Sequence, residues 1–276
     1  MTTLDTADYA LGRSAEEYER LRAQARVWQP TTDAVLDRIG VPVGATCLDA
    51  GCGAGETMRS LARRVGSDGV VVGLDVDAAL AATTRVALQE AGHTGCRVVV
   101  HDLVGPDPVP GGRYDVVLVR LVLFHLPQRD VVLRRLWEAV APGGVLVVQD
   151  YVLGAVTAVP ADGAVRAAVA LLTDAFEAAG CDVNVGLRLA DLFRRNGIGD
   201  PDGSDIGCRV DPIAAGAGML ERTCRSVLPG AVARGLTTQA RAEEVFRSLQ
   251  RTVTEDPQRH LVWPLLAAAW KHAPGR

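Results

Sequence analysis

A doubly wound α/β fold, with a mostly parallel sheet covered by helices on both faces, is what the sequence predicts. Three observations carry that expectation. Short apolar runs alternate with helical patterns from about residue 46 to 151. Those runs are continuously hydrophobic ("VVVGLDV", "YDVVLVR", "VLVVQDY"), as strands buried on both faces must be. The first run, "ATCLDA", leads straight into a glycine-rich turn and a helix.

Taken in order, the chain begins with a helix. Ser14 and Glu17 form a capping box, and Tyr18, Leu21, Ala25 and Trp28 share one face beyond it. Tyr18 on that face reads as core. A second helical stretch over Thr32–Ile39 ends at the turn "GVPVGA". Strand one, "ATCLDA", precedes the loop "GCGAGE" and the helix "ETMRSLARRV". Strand two is "GVVVGLDV", followed by a helix through "DAALAATTRVALQEAG". Strand three is "CRVVVHD", and the Pro/Gly-rich loop "LVGPDPVPGGR" leads to strand four, "YDVVLVR". A helix near "RDVVLRRLWEAVA" and the turn "PGG" feed strand five, "VLVVQDY". The remainder is helix-rich at about 160–180, 187–197 and 215–253, with strand-like pieces at Ile206–Ile213 and His260–Leu266.

Composition narrows the function classes. A net charge of −4 with scattered Lys and Arg offers no basic stripe for nucleic acid. No uncharged apolar run approaches the roughly 18 residues of a membrane span. The N-terminus lacks a charged-then-apolar leader, so a cytoplasmic location is expected. The six cysteines show no metal-ligand spacing; buried, reduced thiols and no metal are expected. Homodimer formation is left open.

The glycine loop is the most informative motif. A dinucleotide loop wants G-x-G-x-x-G so that pyrophosphate can sit on the helix N-terminus. Here the glycines are Gly51, Gly53 and Gly55, and Glu56 stands at the sixth position. A carboxylate there competes with phosphate for the same N–H groups, so a ligand without phosphates is favoured. S-adenosylmethionine is such a ligand. Asp75, 24 residues after Gly51 at the end of strand two, can accept both ribose hydroxyls. Asp102 can accept from the adenine amino group, with Leu103 beside the ring.

The motifs "LDAGCGAGE", "VVGLDVD", "HDL", "YDVVLVRLVLFHLP" and "APGGVLVVQDY", in this order and spacing, resemble the class I S-adenosylmethionine-dependent methyltransferases. "YALGRSAEEYERLRAQA", "GLRLADLFRRNGI" and "PLLAAAW" resemble a subgroup acting on small molecules, many of it from bacterial secondary metabolism and antibiotic biosynthesis. The resemblance implies a Rossmann-like, seven-stranded sheet with a C-terminal antiparallel hairpin. It divides the chain into an N-terminal helical lid (1–40), a core (41–214), a helical lid insertion (215–258) and a last strand (259–276).

It also implies roles. Asp49, Ala50, Gly51, Cys52 (by its backbone), Gly53, Gly55, Asp75, Val76, Asp102 and Leu103 would hold the cofactor. Asp49 would reach the methionine ammonium through water or a backbone group. Tyr9 and Gln24 would close over the cofactor, with Tyr9 near the reacting methyl. Arg120, after an apolar strand, needs a partner: the cofactor carboxylate, the acceptor, or a neighbouring acid. His125 either packs beneath the acceptor pocket or serves as a general base, its ordinary pKa of about 6.5 suiting neutral pH. Phe124, Asp150 and Tyr151 would line the acceptor side, although "QDYV" stands where the subgroup often has "QEYD". Apolar Met219, Leu220, Val227 and Leu228 point to a hydrophobic small-molecule acceptor methylated at O, N or C. The alternatives are a binding protein of this fold with other chemistry and a nicotinamide-dependent oxidoreductase, which Glu56 opposes.

Overall fold

A computed structural model describes residues 15–275. In chain order the helices are α1 (Ala15–Ile39), α2 (Glu56–Val65), α3 (Ala78–Glu90), α4 (Arg129–Glu138), α5 (Gly163–Ala178), α6 (Leu189–Arg195), α7 (Ile213–Ala233) and α8 (Gln239–Glu255). The strands are β1 (Thr46–Ala50), β2 (Val70–Asp75), β3 (Cys96–Val100), β4 (Tyr114–Arg120), β5 (Val140–Val152), β6 (Thr157–Val159), β7 (Gly203–Gly207), β8 (Val210–Pro212), β9 (His260–Val262) and β10 (Leu265–His272).

Seven strands form one sheet in the order β3-β2-β1-β4-β5-β10-β7. The first five are mutually parallel, and β10 runs antiparallel to both β5 and β7. This is the fold class expected. The apolar runs at β1 and β4 are buried because helices cover both sheet faces, and Leu48, Val117 and Leu118 are fully enclosed. β3 lies at the edge, and its Val100 is 50% exposed. The strand order reverses where β1 meets β2 on one side and β4 on the other. Doubly wound sheets bind ligands in that crevice, beyond the carboxyl ends of the strands.

Three expectations need correction. The two N-terminal helices are one continuous α1 carrying Pro30 inside it. Proline removes one backbone hydrogen bond, but Trp28, Val35 and Leu36 anchor the helix on both sides of it. The piece read as one strand at 206–213 is two: β7 joins the main sheet, whereas β8 joins β6 and β9 in a separate three-stranded sheet. The last piece divides likewise, and the strand that completes the main sheet starts at Leu265. The capping residue Ser14 lies outside the described residues. No described helix is long and apolar enough to cross a membrane.

Candidate active site

A cavity of about 350 Å³ opens at the carboxyl ends of β1, β2 and β4. The glycine loop forms its floor. All three glycines have positive φ: 80° at Gly51, 49° at Gly53 and 78° at Gly55. Their surroundings differ. A Cβ at Gly51 would collide with Val122, and one at Gly55 would meet Thr84 and Leu88. A Cβ at Gly53 would find nothing within 4 Å, because that position faces the open cavity. Gly55 therefore serves α2–α3 packing, away from the cavity lining. Ala50 is likewise enclosed within the sheet. Cys52 packs its thiol against Gly73, leaving its backbone at the cavity.

Asp75 organises this loop. Its Oδ2 accepts from Gly53 N–H (2.9 Å) and its Oδ1 from Asp77 N–H (2.9 Å). A carboxylate oxygen can accept from more than one donor. Val76, Asp102, Leu103 and His101 continue the wall, and Asp102 Oδ1 accepts from Val104 N–H at 2.9 Å.

Two opposite charges stand beneath the loop without bonding each other. Asp49 is 2% exposed, and its Oδ2 has no hydrogen-bond partner. Burial pushes its carboxyl up to about 7; the Arg120 charge opposes that shift and Asp75 adds to it. Arg120 donates Nη1–H to Thr32 Oγ1 (2.9 Å) and forms no ion pair with an acid among the described residues. Burial lowers its pKa, although Asp49 counteracts this. Both side chains line the cavity.

The far wall is apolar and aromatic. Phe124, Phe176, Leu172, Met219, Leu220 and Trp263 line it. His125 lines it too, its ring 4.8 Å from that of Phe124 and its Nδ1 3.9 Å from Cys181 Sγ. Burial, helped by the charge of Arg20, lowers its pKa to about 4. It is therefore a neutral and weak base at pH 7, not the near-neutral base its ordinary pKa implied. Asp150 is enclosed beside the cavity, outside its lining. Its Oδ2 accepts from Phe124 N–H (3.0 Å) and its Oδ1 from Tyr151 N–H (2.9 Å), so it braces the turn that presents Phe124. Burial pushes it up to about 7.

α1 and α7 line the cavity's remaining side. On α1, Glu17 holds Arg20 through two bonds (2.6 and 2.8 Å), and Arg20 Nη1 donates to Gln24 Oε1 at 2.5 Å. Gln24 Nε2 and Trp28 Nε1 both donate to the Tyr151 hydroxyl, at 2.8 and 2.7 Å. Arg20 Nη1 also reaches Thr223 Oγ1 of α7 at 3.4 Å. Tyr18 is not core: it lines the cavity and donates to Asp77 Oδ2 at 2.8 Å. Tyr9 lies outside the described residues. Sequence reasoning missed Glu17 and Arg20, which with Gln24 follow helical spacing and are 5% and 3% exposed respectively. It also missed Trp263 as a lining residue.

The fold and the acid-tipped β2 beside a glycine loop define a Rossmann-like nucleoside-binding domain. Residues 48–148 match the family described as "Methyltransferase domain". A ubiquinone/menaquinone biosynthesis C-methyltransferase of Hahella chejuensis is 29% identical over 126 residues, 46% of this chain and 49% of that protein. Nocamycin O-methyltransferase of Saccharothrix syringae is 31% identical over 118 residues, 42% of this chain and 41% of that one. The matched region thus spans less than half the length of these relatives. A solved methyltransferase candidate from Bacillus halodurans shares the fold, with TM-score 0.61 and 14% identity over 88% of this chain and 99% of that one. Residues 48–148 thus match a methyltransferase domain, and the chain shares the fold of that solved structure.

Proposed function

We propose that the protein is an S-adenosylmethionine-dependent methyltransferase acting on a hydrophobic small-molecule acceptor. The observation that carries this reading is the unpaired charge arrangement beneath the glycine loop. Asp49 presents a partnerless buried oxygen and Arg120 a cation bound to no acid, with both facing one cavity. That pattern complements a zwitterionic amino-acid tail, which a nicotinamide dinucleotide lacks. Asp75 then takes the ribose hydroxyls, Gly53 permits close approach, and Asp102 with Leu103 receives the adenine.

S-adenosylmethionine, when bound, supplies an electrophilic methyl on a sulfonium. The chain's own work is alignment and water exclusion, where orientation contributes about 7–11 kcal/mol of barrier. Gln24, Tyr18 and the α7 residues Met219 and Leu220 close the cavity; Phe124, Phe176 and Trp263 hold an apolar acceptor against it. His125, held neutral, offers a ring for packing and a weak acceptor. The two sequence relatives, named for quinone C-methylation and nocamycin O-methylation, accord with a hydrophobic acceptor in secondary or cofactor metabolism.

Incubation with S-adenosylmethionine tritiated at its methyl and a panel of apolar phenols, quinols and polyketides tests the acceptor class. Label in the organic-extractable products supports it. Transfer confined to water-soluble polar acceptors such as glycine or ethanolamine derivatives would refute it.

A further inference from the structure

The far wall holds a hydrogen-bond donor whose direction the fold has fixed. Tyr151 lies at the end of β5, partly buried between Trp28 and Phe124, with ring centroids 5.9 and 6.2 Å away. A phenol oxygen accepts two hydrogen bonds and donates one. Both acceptor positions are filled. Trp28 Nε1 can only donate, and it stands 2.7 Å from the Tyr151 oxygen. Gln24 Nε2 stands 2.8 Å away, and its amide cannot be turned, because Oε1 is claimed by the Arg20 guanidinium, which has nothing but donors. Arg20 is itself fixed by two bonds to Glu17. The run Glu17–Arg20–Gln24 along one face of α1 thus sets the polarity of the last contact. The Tyr151 proton must go elsewhere, and among the described residues no group accepts it. Tyr151 lines the cavity together with Phe124, Met219 and Trp263.

We infer that Tyr151 donates to an oxygen of the acceptor, so that the acceptor is an apolar molecule carrying a carbonyl, enolate or phenolate oxygen beside the methylated atom. This inference rests on the methyltransferase reading. Burial raises the pKa of the phenol, which keeps the proton in place as a donor at physiological pH. A donor on the reacting atom itself would tie up the electron pair that displacement needs, so the gripped oxygen neighbours that atom. Tyr151 is then a positioning residue. An ammonium or other cationic acceptor would meet a donor, two further N–H groups and the Arg20 guanidinium, and is disfavoured.

The test uses 1-tetralone and tetralin, one skeleton with and without a carbonyl, titrated calorimetrically into protein saturated with S-adenosylhomocysteine. Tyr151→Phe is expected to weaken 1-tetralone about tenfold while changing tetralin less than twofold and S-adenosylhomocysteine not at all. Equal losses for both probes would reduce Tyr151 to a structural role and overturn the inference. So would unchanged 1-tetralone binding, or failure of 1-tetralone to bind the parent protein. If Tyr151→Phe does not fold, Trp28→Phe frees one acceptor position and slackens the aim of the proton. It should then cost 1-tetralone two- to fivefold and tetralin nothing; a shared loss again overturns the inference. Failure of S-adenosylhomocysteine to bind the parent protein would instead refute the function reading.

Discussion

Replacing Asp49 with asparagine should make the protein more stable and less able to hold its cofactor. Asp49 is 2% exposed, and burial raises its carboxyl from 3.8 to about 7. Between those values the folded state keeps a proton that the unfolded chain releases, so stability falls as pH rises and levels off above the folded value. The loss is about 1.4 kcal/mol per pH unit, or about 4 kcal/mol in total by pH 8 and about 2 kcal/mol at pH 5. The amide of the variant carries no such charge. Urea unfolding of both proteins should show the variant more stable by about 2–4 kcal/mol at pH 8, with an advantage about 2 kcal/mol smaller at pH 5. Taking the difference between variant and parent removes the contributions of other titrating groups, Asp150 and His125 among them. In the same preparation S-adenosylhomocysteine should bind at least tenfold more weakly, because the ammonium loses its anion. A variant no more stable at pH 8 than at pH 5, relative to the parent, would show that Asp49 is not held against its charge. Unchanged ligand affinity would remove it from the site.

Gly53→Ala should abolish S-adenosylhomocysteine binding while leaving the protein folded, since the added methyl faces the open cavity at a φ of 49°; the left-handed backbone costs only about 1–2 kcal/mol. Calorimetry with a melting curve reads both, and normal binding would misplace the pocket. Asp75→Ala should weaken S-adenosylhomocysteine at least tenfold through unpaired ribose hydroxyls, a cost of about 1–3 kcal/mol, and intact affinity would refute its role. His125 has its pKa lowered from 6.5 to about 4, so the parent should lose stability as pH falls through that window. His125→Gln should remove up to about 3 kcal/mol of that loss, measured by urea unfolding at pH 4.5 and 7, and an unaltered pH slope would contradict it. The same shift predicts no limb from His125 in the rate profile between pH 6 and 9.

The sheet was largely legible because its parallel strands must be apolar on both faces. The bounds of β4 follow directly from "YDVVLVR". The small sheet of β6, β8 and β9 was not legible, since strands of three residues carry too few alternations to register. The N-terminal helix read as two stretches, whereas burial of Trp28 and Leu36 on either side of Pro30 carries one helix through. Periodicity also cannot distinguish a face buried in core from one turned to a cavity, which is why Tyr18 read as core. Glu17 read as half of a capping box and Arg20 drew no reading, because their burial arises only when α1 packs against the rest of the fold. The glycine motif named its loop correctly but hid the division of labour: Gly53 faces the cavity, while Gly55 only lets α2 and α3 approach. The lowered pKa of His125 was not legible, since its burial depends on residues distant in sequence, Phe176 of α5 among them.

The Asp49 and Arg120 arrangement suits a zwitterionic nucleoside and not a dinucleotide. Calorimetric titration of the full chain with S-adenosylhomocysteine and, separately, with NADH tests it most directly. Micromolar binding of S-adenosylhomocysteine is expected, weakened at least tenfold in Asp49→Asn, with no measurable binding of NADH. Tight NADH binding with no response to S-adenosylhomocysteine would contradict it.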